Sequence, residues 1–196
     1  MKFSKEFKGN QKNLKVIENE NCYHYIGRSD NLKTIFVYSS LSGNTKRLAY
    51  GLHKLCETPS EVINIDDYEG TLADLYVLCS WIDKGKPDKK SLEIVDNFQG
   101  KNVYLIATLG ANPKSEHGKE CIKNMGEIYS NCNILGIDLV QGSISDQVIE
   151  MFKKLPADHL HALSEEKMKK YDSIKGRPNS KDFNEAFAKL KTKLRW

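Results

Sequence analysis

Residues 34–45 read T-I-F-V-Y-S-S-L-S-G-N-T, and the way this stretch divides decides the fold. Its first half, 34–39, is a short, β-rich and almost continuously apolar run. Its second half, 39–45, is a string of hydroxyl residues interrupted by Leu41 and completed by Gly43 and Asn44. Beyond it Leu48, Leu52 and Leu55 repeat at i, i+4 and i+7, the spacing of one helical face. A strand apolar on both faces, a glycine turn and an amphipathic helix in succession begin a βαβ unit, because a parallel strand must be covered on both sides.

The same alternation continues along the chain. Strand-like runs recur at 61–65 (E-V-I-N-I), 75–79 (L-Y-V-L-C), 102–108 (N-V-Y-L-I-A-T) and 137–141 (I-D-L-V-Q). Helical spacing connects Leu92, Val95 and Phe98, with Gly100 as a stop, and then Cys121, Met125 and Ile128. Strands joined by helices imply right-handed crossovers and a doubly wound open sheet. Tyr38, Tyr76 and Tyr104 fall inside strand patterns and read as core or sheet-edge residues. Ahead of this unit, 14–17 and 23–26 flank E-N-E-N-C and suggest a β-hairpin. After it come a helix over 146–155 closed by Pro156, a His-bearing loop, and a helix starting at Ser164. A last helix, capped by Ser180 or Asp182, presents Phe183, Phe187, Leu190 and Leu194 on one face. The expected organisation is an extension over 1–33 and one domain over 34–196 with a helical tail.

Composition agrees with a globular chain: 196 residues, 39 % hydrophobic and 29 % charged. No apolar run approaches bilayer length, and 1–13 is polar and Lys-rich without the apolar core of a secretory signal. The cytoplasm is the expected compartment, with no membrane contact. The cysteines at 22, 56, 79, 121 and 132 form no C-x-x-C pair, which reads as free thiols rather than a disulfide framework or zinc ribbon. Net charge is +4, yet 34–152 holds 11 basic and 16 acidic residues while 153–196 holds 12 basic and 6 acidic. Basic and acidic residues are interspersed without a basic–aromatic run, so no nucleic-acid partner is expected. His159 and His161 stand two apart with no third ligand evident, and no metal is expected.

Three segments carry candidate chemistry. The segment 39–45 supplies hydroxyls from Ser40, Ser42 and Thr45 at a helix start, where unpaired N–H groups attract an anion; it reads equally as a plain helix cap. Neither a Walker loop nor a dinucleotide glycine fingerprint is present. The segment 80–88 (S-W-I-D-K-G-K-P-D) places Trp81 directly after a strand, where it would cover a flat ligand or pack under its own loop. The segment 108–113 (T-L-G-A-N-P) offers backbone near Gly110 and Ala111 to a ligand edge. With strand order 2-1-3-4-5, these three would surround one crevice at the carboxyl ends of the strands.

S-x-S-G-N-T after the first strand resembles the flavodoxin phosphate loop, [ST]-x-T-G-x-T, with Ser42 in place of the commoner Thr. Trp81 through Asp88 and Thr108 through His117 resemble a flavodoxin-like branch with W-x-D-x-G-x-P-D and T-L-G-A-x-P-x-S-x-H segments. P-x-D-x-x-H-A at 156–162 is similar to that branch too. Some of its members are encoded beside bacterial bilirubin reductases. The resemblance implies an α/β flavodoxin-like doubly wound five-stranded parallel sheet of order 2-1-3-4-5, with an N-terminal hairpin-like extension and extra C-terminal helices. It also implies FMN as cofactor. Ser40, Leu41, Ser42, Gly43, Asn44 and Thr45 would hold the phosphate. Ser80, Trp81, Ile82, Asp83 and Gly85 would form one wall of the ring site, and Thr108, Leu109, Gly110 and Ala111 the other. No catalytic residue is implied, since the chemistry belongs to the flavin. Burial of a reduced flavin against Trp81 and near Asp83 would lower its potential, Lys84 and Lys86 would oppose that if they faced the ring, and the net sign stays open in the sequence. The implied function is electron transfer between partner proteins, a reductase and an acceptor enzyme such as a tetrapyrrole reductase. An NAD(P)H-dependent FMN reductase and a cofactor-free interaction module are the alternatives, and His117 reads as a capping or surface histidine.

Overall fold

The structure is a computed structural model that describes residues 32–156, 159 and 162–194. In chain order it contains β1 (Thr34–Tyr38), α1 (Asn44–His53), β2 (Ser60–Asn64), β3 (Leu75–Asp83), β4 (Lys86–Pro87), α2 (Lys89–Glu93), β5 (Asn102–Leu109), α3 (Glu116–Ile128), β6 (Asn133–Gln141), α4 (Asp146–Lys153), α5 (Glu165–Ser173) and α6 (Ser180–Leu194). The sheet runs β2-β1-β3-β5-β6, all neighbours parallel, with β4 added antiparallel to β3. This is the expected 2-1-3-4-5 order of five parallel strands. The expected hairpin at 14–26 lies outside the described residues, as does His161.

Each inner strand is apolar without a break because both of its faces are covered. Ile35, Val37, Leu78 and Leu105 pack with Cys121 and Met125 of α3. Phe36, Val77, Tyr104 and Ile106 face the other way and pack with Leu48 of α1 and Leu190 of α6. Burying side chains of this size contributes about 1.5–3 kcal/mol each. These two layers, rather than any single contact, hold the strand ends in place.

Three elements differ from the sequence expectation. Residues 80–88 are a tight β-hairpin, not an open loop. β3 continues to Asp83, Lys84 and Gly85 turn with φ of +48° and +82°, and β4 returns. Two consecutive positive φ values are what a two-residue hairpin turn demands. The helix over Leu92, Val95 and Phe98 is split into α2 and a 3₁₀ turn at Val95–Phe98, although Phe98 is still buried. β6 begins at Asn133 rather than 137, because Gly136 does not break it. A Cβ there would lie 2.5 Å from the Tyr104 ring, so Gly136 makes room for a core side chain within the strand.

The tail packs on the sheet through Ala186 and Leu190 and adds an ion pair to it. Lys189 Nζ reaches Asp138 Oδ1 at 2.6 Å, docking α6 on β6, and the Tyr104 hydroxyl donates to the same carboxylate. The expected cap of α6 is neither Ser180 nor Asp182. Asn179 Oδ1 accepts from the Lys181 N–H at 3.0 Å, while Asp182 Oδ2 reaches back to accept from the Asn179 N–H at 2.8 Å. Asp182 also takes both the Nε and Nη2 donors of Arg177.

Burial alone would raise the Asp182 carboxyl, but its bonds to Arg177 and Asn179 outweigh that and hold it below the usual carboxylate value. A depressed folded-state value contributes stability above the unfolded carboxylate range, near pH 4, and loses it as pH falls through the folded value. Asp182→Asn should therefore cost about 1–2 kcal/mol at neutral pH. In urea unfolding measured across pH, the gap between the two proteins should close progressively below about pH 4.

Candidate functional site

The carboxyl ends of β1, β3 and β5 lie side by side, and one side chain on the helix that follows β1 reaches both β3 and β5. Thr45, the second residue of α1, is buried; its Oγ1 lies 2.8 Å from Thr108 Oγ1 at the end of β5. It also donates to the Ser80 carbonyl on β3 at 3.4 Å. Trp81 and Thr108 are register partners across β3 and β5, so the three segments singled out in the sequence meet at one crevice.

The first segment is built as an anion seat. Gly43 stands at φ +86° and serves as the N-cap of α1 without any side-chain cap. By contrast α2, α3, α4 and α5 each start with a side-chain acceptor, from Asp88, Ser115, Ser145 and Ser164. The first amides of α1 therefore lack an internal partner, as helix starts do unless something satisfies them. Ser40 Oγ is buried and has no hydrogen-bond partner. Ser42 and Gly43 are exposed, and Leu41 is 77 % exposed. An unpartnered hydroxyl beside unpartnered amides fits a phosphate ester.

Asn44 and Thr45 are placed differently from the other loop residues. The Asn44 carboxamide donates to the Ser143 carbonyl at 2.8 Å and accepts from Ser143 Oγ at 3.0 Å and Arg47 Nη2 at 2.8 Å. Both side chains are engaged in tying loops together, leaving their backbone N–H groups to face an anion.

On the hairpin, side chains alternate across the sheet. Ile82 packs into the core layer under α3, and Ser80 is buried. Trp81 points to the opposite face and is only half-buried, while Asp83 is exposed. Asn124 Nδ2 on α3 donates to the Gly85 carbonyl at 2.9 Å and fixes the tip of the turn. His117 is exposed and lies beside that tip, its ring 3.8 Å from where a Cβ on Gly85 would be. On the third segment Thr108 and Leu109 are buried and Ala111 packs against the core. The space above Gly110 is taken by Ile144, whose Cδ1 would lie 2.6 Å from a Cβ at that position.

A fourth segment, not singled out in the sequence, completes the surround. Gln141 Nε2 lies within hydrogen-bond distance of the carbonyls of Leu109, Gly110 and Gly142, at 3.1–3.2 Å. Ser143 receives Asn44, and its own N–H donates to the Arg177 carbonyl at 3.0 Å. Asp88 is the other residue missed. It is 2 % exposed, and its Oδ1 accepts from Ser39 Oγ at 2.7 Å. A cavity of about 380 Å³ lies elsewhere, between α1 and α6 around Tyr50, Gly51 and Phe183. Among the described residues no cluster of metal-ligating side chains is present, and no helix is long and apolar enough to cross a membrane.

The flavodoxin domain family matches residues 35–191. The chain is 30 % identical over 171 residues to the flavodoxin-like domain-containing protein BilS of Clostridioides difficile (strain CD3), covering 81 % of this chain and 95 % of that protein. Among solved structures it is similar to the flavoprotein of Lactobacillus acidophilus NCFM in complex with FMN, at 16 % identity over 63 % of this chain and 99 % of that one, with a TM-score of 0.46. It is also similar to a flavodoxin from the domain Archaea, at 19 % identity over 74 % and 99 % of the two chains, with a TM-score of 0.41. By the family match over 35–191 and the similarity to BilS along most of both chains, this chain belongs to the flavodoxin family.

Proposed function

We propose that this chain binds FMN noncovalently at the strand-end crevice and carries electrons, in the cytoplasm, from a reductase to an acceptor enzyme. The observation that carries the reading is Ser40 Oγ, buried without a partner beside the uncapped start of α1. The hydroxyls of Ser40 and Ser42 and the amides of 43–45 would hold the phosphate. Trp81 on one side and Leu109 to Ala111 on the other would flank the ring. Bound there, FMN supplies the electron-carrying chemistry. The protein's part is to seat it, exclude water with the half-buried indole, and set its electrostatic surroundings. The resemblance to the branch encoded beside bilirubin reductases makes an enzyme acting on a tetrapyrrole the acceptor of choice. Free, partly or fully buried thiols at Cys56, Cys79, Cys121 and Cys132 suit a reducing compartment.

Gly43 gives the direct test. A Cβ there meets nothing within 4 Å, so a substitution is opposed by the backbone conformation alone. Holding a β-branched residue at positive φ costs about 1–3 kcal/mol, which the loop relieves by leaving the geometry that cradles the phosphate. Gly43→Val should thus weaken FMN binding about tenfold or more in a fluorescence titration, with the fold intact by circular dichroism. Unchanged affinity would remove the phosphate-seat assignment. For the carrier role, the FMN-loaded chain alone should oxidise NAD(P)H only negligibly in steady state. Rapid turnover would instead support the FMN reductase.

A further inference from the structure

We infer that Asp88 is a positioning residue whose buried negative charge holds the redox potential of the bound cofactor down, an inference that rests on the FMN reading above. Asp88 is 2 % exposed and makes no ion pair among the described residues. Its Oδ1 accepts from Ser39 Oγ at 2.7 Å, its Oδ2 from Ser91 Oγ at 2.8 Å, and the Ser91 N–H donates to Oδ1 at 3.4 Å. All three bonds run into the carboxylate, the pattern of an acceptor-only group. Its own N–H donates to the Trp81 carbonyl at 3.0 Å. One residue thus links the end of β1, where the phosphate seat begins, to the residue that walls the ring.

Capping α2 explains the hydrogen bonds but not the charge. Serine caps α3, α4 and α5 with a neutral oxygen, and asparagine is as good a cap as aspartate. Burying a carboxylate without a counter-ion is costly, and its field reaches further in a low-dielectric interior than in water. A fixed negative charge on a residue bonded to both Ser39 and Trp81 opposes adding electrons to whatever the seat holds. Neutral hydroxyl donors stabilise that charge without cancelling it, as a lysine or arginine would.

Asp88→Asn keeps the cap and removes the charge. With FMN-loaded protein equilibrated against reference dyes, its midpoint potential should lie above that of the unaltered chain. The expected rise corresponds to about a tenfold gain in affinity for reduced over oxidised FMN, or about 30 mV for a two-electron couple. Affinity for oxidised FMN and thermal stability should stay close to the original. Asp96→Asn removes an exposed carboxylate near the opposite end of β5 and should leave the potential unmoved. Should Asp88→Asn not fold, Ser39→Ala removes a donor while keeping the charge, and should lower the potential. An unmoved potential in Asp88→Asn, an equal rise in Asp96→Asn, or no fall in Ser39→Ala overturns the assignment while leaving FMN binding intact. An unaltered chain that takes up no FMN overturns the cofactor reading instead, and this inference with it.

Discussion

The hydroxyl of Thr45 is the point on which the site depends. It lies on the first turn of α1, yet it bonds to Thr108 at the end of β5 and to the Ser80 carbonyl on β3. With Thr45 buried at 1 % exposure, neither bond has water as a ready substitute. The helix start is thereby held at a fixed place over the strand ends. A phosphate seat floating on its own loop would have no defined relation to the ring walls.

Around that point, each segment is anchored from outside the crevice. Ser39 is held by Asp88, Asn44 by Ser143, the Gly85 turn by Asn124, and Leu109 and Gly110 by Gln141. The tail joins the same network, because the Arg177 carbonyl accepts from both the Ser143 N–H and Arg47 Nη2. Asp182 holds Arg177 through its guanidinium, so the ion pair at the start of α6 bears on the loop after β6. Among the described residues, buried side-chain oxygens on Thr34, Thr58 and Tyr68 also lack a partner, but at the crevice it is the Ser40 hydroxyl and the first amides of α1 that stay unsatisfied. That contrast gives the site its chemical preference for an anion.

Much of this was legible in the sequence because it rests on local patterns. The strands and their crossovers follow from the apolar runs, the order 2-1-3-4-5 from the resemblance to flavodoxins, and residues 39–45 carry their turn and hydroxyls openly. The hairpin at 80–88 was less legible, since Lys84 adopts a positive φ that only Gly85 beside it announces. The strand expected at 137–141 begins at Asn133, and Gly136 within it makes room for the Tyr104 ring, which no local pattern announces. The partners that fix the site were not legible at all. Asp88 bonds to a residue 49 positions away and Asn44 to one 99 positions away, and no spacing rule connects them. Likewise Asn44 and Thr45 match a phosphate-loop pattern, but only the fold shows that their side chains are committed to neighbouring loops.

The most direct measurement is a crystal structure of this chain grown with FMN. The account predicts the phosphate against Ser40 Oγ and the amides of 43–45, with the ring between Trp81 and the 109–111 turn. FMN lodged in the cavity between α1 and α6, or a strand-end crevice left empty at saturating FMN, would contradict it.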